Sequence, residues 1–138
     1  AGKPSLDVPE PGLVLLNKHL LQADKSSMVI FLGDNIYESG MPALNHENRP
    51  KSEARLYESV KAVQGYIGSV LFIPGNHDWY AANDSTPDGL IHQREYLYEK
   101  LGSEHVFLPK DGKPGPAVLQ VDENVVLVVL VGAGCCYN

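Results

Sequence analysis

Two short segments of this chain carry the residue types that hydrolytic chemistry uses. They are Gly33-Asp34-Asn35-Ile36-Tyr37 and Gly75-Asn76-His77-Asp78. Asp34 offers two oxygens with several lone pairs, enough to bridge two cations. Asn76 offers a neutral carbonyl oxygen to one cation. Tyr37, three residues beyond Asp34, carries a phenol, which as phenolate would be a hard ligand for trivalent iron, a role that spacing alone does not establish. His77 can bind a metal or give a proton to a leaving alkoxide, and Asp78 can orient or charge-stabilise that imidazole. Two cations held roughly 3.5–4 Å apart would clamp an attacking hydroxide and the phosphoryl oxygens, which is what metal-assisted phosphoester hydrolysis needs. Each residue also has a plainer reading. Asp34, Asn76 and Asp78 are common turn formers, and Tyr37 is an ordinary packed aromatic. Trp79 and Tyr80 suit a pocket wall or a hydrophobic anchor equally. His19, His46, His92 and His105 read as surface or partly buried histidines.

Such residues meet only if the elements before them lie side by side. Residues 28–32 and 70–73 are short apolar runs with the composition of buried strands. Leu13, Leu16 and Leu20 recur at helical spacing and predict a helix to about Ala23. Residues 35–51 are polar, with Gly40, Pro42 and Pro50, and read as a long loop of the kind that carries function. Ser52 is expected to cap a helix with Leu56, Val60, Val63 and Ile67 on one face. Asp88 is expected to cap another, bearing Leu90, Leu97 and Leu101 and stopped by Gly102. Residues 105–108 read as a brief strand. Residues 117–121 and 125–131 read as two strands joined by a tight turn at Asp122-Glu123-Asn124. The run of Val and Leu at 125–131 suits a strand buried on both faces. Helix and strand alternate in the first half, so the predicted fold class is α/β, a layered sheet with helices on its faces. In such sheets ligands gather beyond the carboxyl ends of the strands, where Asp34 and Asn76 fall.

Bulk properties narrow the function classes. The 138 residues suffice for one domain with a real core. Hydrophobic residues make up 43% and charged residues 20%, which argues against global disorder. The net charge of −6, without a Lys/Arg cluster, gives no footprint for a nucleic-acid backbone, so no nucleic-acid partner is expected. No apolar run is long enough to span a bilayer. Cys135 and Cys136 are adjacent and form no disulfide framework.

Together the two glycine-led segments resemble the second and third motif blocks of the calcineurin-like metallophosphoesterase superfamily, Gly-Asp-x-x-Tyr and Gly-Asn-His-Asp. The tyrosine version is similar to the purple acid phosphatase branch. The resemblance implies a four-layer sandwich of which 1–138 is a single, incomplete domain. It implies a phosphate-ester substrate and two metal ions, iron with iron, zinc or manganese. It implies that Asp34 bridges the metals, Asn76 binds one, Tyr37 binds iron, and His77 acts as acid at the leaving group. It favours a secreted or periplasmic location and carries nothing about oligomeric state. The chain departs from the pattern at both ends. Ala1-Gly2 would be the remnant of a first block whose aspartate is missing, the downstream histidine blocks do not appear, and the tail from Gly132 to Asn138 fits poorly. The stretch is therefore expected to bind metal weakly and to show little phosphatase activity by itself. Two other readings compete: a non-catalytic binding domain on the same scaffold, and a nucleotide or nucleic-acid phosphodiesterase of the same superfamily.

Overall fold

The structure, a computed structural model, describes residues 8, 10–79 and 88–132. Tyr80, the loop 81–87, Ala1-Gly2 and the tail beyond Gly132 lie outside the described residues. The elements run α1 (Pro11–Leu20), β1 (Met28–Leu32), α2 (Arg49–Ala62), β2 (Ser69–Ile73), a single tight turn (Asn76–Asp78), α3 (Asp88–Leu101), β3 (Ala117–Gln120) and β4 (Val126–Val129). The fold is mixed α/β, with helices packed against small sheets.

β1 and β2 are parallel, with Met28 opposite Ser69 and Leu32 opposite Ile73. Equal strand lengths in this register bring the two glycine-led segments out at the same sheet edge. Phe31 and Phe72, partners in the register, stack with ring centroids 4.2 Å apart. β2 is the central strand. On its far side Phe72 bridges Phe107 in parallel, its N–H donating to Val106 O at 2.7 Å and its carbonyl accepting from Leu108 N at 3.1 Å. The brief strand expected at 105–108 is reduced to this one bridge at Phe107, with residues 104 and 105 in a turn. Leu71 and Phe72 are both fully buried, so β2 is covered on two faces, as a central parallel strand must be. Around them Leu56 and Val60 of α2, Leu90 and Leu97 of α3, and Val106 and Phe107 close the core.

The helices follow from sequence in place but not in all their bounds: α1 ends at Leu20, short of the expected Ala23. α3 begins at Asp88 and ends at Leu101, with Gly102 at positive φ and its N–H on Tyr98 O at 2.8 Å. α2 starts earlier than expected, at Arg49. Ser52 is not its cap; its N–H already donates to Asn48 O, and the residue is buried inside the helix. Pro50 does not break the helix because the first turn needs no N–H from it. Ile67, expected on the helix face, lies beyond the helix and is exposed.

β3 and β4 pair antiparallel, Ala117 opposite Val129, across the turn at Asp122. The Asp122 carboxylate accepts the N–H groups of Asn124 and Val125 at 2.7 and 3.0 Å. The expectation that residues 125–131 are buried on both faces is overturned. Val129 and Val131 are buried, but Val126, Val128 and Leu130 are 51%, 54% and 73% exposed. The hairpin lays one face on the core, and among the described residues nothing packs on the other. Val128→Thr is therefore expected to change stability by less than about 0.5 kcal/mol. Val129→Ala should cost about 2 kcal/mol. Urea unfolding of the two variants distinguishes a one-sided from a two-sided strand.

Candidate active site

The site begins as a backbone problem. After β1 and β2 the chain turns sharply at Gly33 and at Gly75, and the two turns touch. Gly33 has φ +92°, and a Cβ there would lie 2.6 Å from Gly75 N. A Cβ at Gly75 would lie 2.2 Å from Asp34 Oδ1. Only glycine at both places lets the two backbones approach so closely. Asp34, the next residue, takes φ +50°, the only non-glycine positive φ among the described residues. Aspartate tolerates this conformation better than most side chains.

Asp78 holds the crossing together. Its carboxylate is fully buried and accepts the backbone N–H groups of Gly75 at 2.8 Å, Ile36 at 3.0 Å and Asn35 at 3.1 Å. Gln93 Nε2 of α3 donates a fourth bond at 3.0 Å. One carboxylate thus staples both turns to each other and to a helix. Burial pushes the Asp78 carboxyl above its ordinary range, and the N–H bonds from Gly75, Gln93, Ile36 and Asn35 pull against that rise. Asn35 completes the clamp by donating through Nδ2 to Ile73 O at 2.9 Å and to Gln93 Oε1 at 3.3 Å.

The expectation that Asp78 orients the His77 imidazole is corrected by this geometry. The lone pairs of Asp78 are committed to Gly75, Ile36, Asn35 and Gln93. His77 Nδ1 instead lies 2.8 Å from the carbonyl oxygen of Glu38. A carbonyl only accepts, so Nδ1 carries the proton and Nε2 is left as the basic nitrogen of the neutral ring. Asp78 is a positioning residue, and Glu38 O holds the ring.

Three of the residues that sequence singled out, Asp34, Tyr37 and His77, lie together. His77 N–H donates to Asp34 Oδ1 at 3.3 Å, and the rings of Tyr37 and His77 meet at 4.5 Å between centroids. Asp34 and Tyr37 line one cavity against α2. Asn76 is exposed in the tight turn that follows β2. Trp79 is buried in the core, which selects the anchor reading over the pocket wall. Among the described residues no three His, Cys, Asp or Glu side chains form a metal-binding group. The donors here, a carboxylate, an amide oxygen and a phenol, suit a hard cation in kind, but they are fewer than a two-metal centre uses.

Gln93 and Asn35 were missed by sequence reasoning. Gln93 falls on the same stripe of α3 as Leu90 and Leu97. A lone amide on an apolar stripe is the signal of a buried polar anchor. Asn35 looked like an ordinary turn residue.

A model of calcineurin-like phosphoesterases matches residues 11–130, most of the chain. This chain belongs to the calcineurin-like phosphoesterase family. Neither curated proteins nor solved structures gave a match. The matched span holds both glycine turns, Asp78 and Gln93. A calcineurin-like phosphoesterase acts on phosphate esters, and the family generally works with metal ions. No helix among the described residues is long and apolar enough to cross a membrane.

In this phosphoesterase Asp78→Asn is expected to lower stability by about 3 kcal/mol, because an amide cannot accept all four donors. Gly75→Ala should also destabilise by at least about 1 kcal/mol, since its Cβ meets Asp34. Chemical denaturation of both variants checks this; wild-type stability in Asp78→Asn would show that the staple does not hold the turns.

Proposed function

We propose that the chain carries part of the active site of a metal-dependent phosphatase of the purple acid phosphatase type. The observation that supports it best is the contact of the two glycine turns, which gathers Asp34, Tyr37 and His77 at one sheet edge. Asp34 would bridge two cations, Asn76 would bind one, and Tyr37 would bind iron. Iron paired with iron, zinc or manganese would supply positive charge to the phosphoryl oxygens. His77 would serve the leaving group. With Nδ1–H held on Glu38 O, Nε2 is the atom that gains a proton and hands it to the departing alkoxide. Asp78, Asn35 and Gln93 keep the donors in place. We further infer that the domain is part of a four-layer sandwich in a secreted or periplasmic enzyme. The exposed row Val126, Val128 and Leu130 supports a further layer on that face.

The reading is tested with the full chain. Added iron is expected to bind weakly and to give a visible phenolate-to-iron absorption band that Tyr37→Phe removes. Asp34→Asn should weaken binding at least about tenfold, the loss that follows even from removing an outer partner of a ligand. Turnover of an aryl phosphate should stay near background, because the donor set is incomplete. Absence of iron binding would overturn the metal assignment. Turnover equal to that of an intact phosphatase would overturn the incomplete-set reading.

A further inference from the structure

A second cavity, of about 220 Å³, lies on the other side of Tyr37. Its wall carries Lys51 and Arg55 of α2, with Ser39, Asn48 and Ser52 beside them and Glu38 as its carboxylate. Tyr37 and Arg55 also line the first cavity, the one that contains Asp34, so the two spaces adjoin.

The cations here are poorly placed for the stability of the helix. Lys51 and Arg55 are four residues apart and share a helix face, where like charges repel. They sit in the first half of α2, whose N-terminus is the positive end of its dipole, and the first turn holds no acidic residue. Arg49 has the same problem and solves it: Nε pairs with Glu53 at 2.7 Å and Nη1 donates to Pro42 O at 2.7 Å. Lys51 and Arg55 take part in none of the ion pairs among the described residues. Arg55 Nε is buried and has no hydrogen-bond partner. A buried donor without a partner is costly, and this one belongs to the arginine that lines both cavities. Neighbouring hydroxyls and the Asn48 amide offer neutral donors of the kind that surround bound phosphates.

We propose that this cavity is an oxyanion subsite in which Lys51 and Arg55 hold a second phosphoryl group of the substrate. The inference rests on the phosphoesterase reading and narrows it: the preferred substrate is a phosphate ester bearing a further phosphate near the scissile one. A guanidinium presents a fork that matches phosphate oxygens, and the Lys51 ammonium adds a mobile charge at the open side.

The subsite is tested by binding rather than turnover, so its outcome does not depend on a working metal centre. Inorganic phosphate and inorganic diphosphate are titrated without metal into the full chain, and the Arg55 Nε–H and the Lys51 and Ser39 backbone N–H resonances are followed. Saturable shifts at these three positions are expected, with diphosphate binding more tightly. Lys51→Ala, at an exposed position, and Arg55→Lys, which keeps the charge but loses the fork, should each weaken binding about tenfold. Lys113→Ala, a charge change elsewhere on the surface, should not. The proposal is overturned if these resonances do not move. It is equally overturned if chloride at the same ionic strength or acetate at the same concentration reproduces the shifts, or if Lys113→Ala weakens binding as much.

Discussion

Everything at this site depends on two backbones that meet where side chains would not fit. Gly33 and Gly75 end two parallel strands of equal length and touch because neither has a Cβ. The contact brings Asp34 within hydrogen-bond reach of the His77 N–H and the Tyr37 ring against the His77 ring. Such an approach crowds backbone N–H groups into a buried place, and they must be satisfied. Asp78 does this for Gly75, Asn35 and Ile36 at once. The motif residue that looked most like a partner for the histidine is thus a structural staple, and its burial is what lets one carboxylate order two loops.

The long segment between β1 and α2 is tied down as well. Arg49 donates to Pro42 O, and His92 Nδ1 lies 3.2 Å from Met41 O, so this segment is tied to α2 and α3. Glu38 O then meets the His77 ring, and Tyr37 separates two cavities. The architecture divides labour. The sheet edge presents the donors, α3 anchors them through Gln93, and α2 brings cations to the far side of Tyr37. On the proposed reading a negatively charged chain would handle phosphate through charge that is arranged locally, whatever the net value.

Much of the fold was legible in the sequence. The apolar runs before Gly33 and Gly75 are β1 and β2, the Asp88 start and Gly102 stop bound α3, and Asp122 makes the turn between β3 and β4. Burial and partnership were less legible. Pro50 looked like loop punctuation, but a first helical turn tolerates proline. The Val-rich run at 125–131 looked like a fully covered strand, but composition does not say what lies on each face. Gln93 and Arg55 carried no motif at all; their importance is a matter of which cavity or carboxylate they reach.

By itself the sequence determined the chemistry on offer: a carboxylate, an amide, a phenol and an imidazole, each tied to the end of a strand by a glycine. Local propensity and periodicity suffice for that, because they act over a few residues. The tertiary structure alone decided which groups meet and what each can still do once its partners are counted. Asp78 lies next to His77 in sequence yet serves Gly75, Ile36, Asn35 and Gln93 in space. Hydrogen bonds are limited by the lone pairs and protons available, so a residue's role is set by which neighbours claim them, and only folding chooses those neighbours.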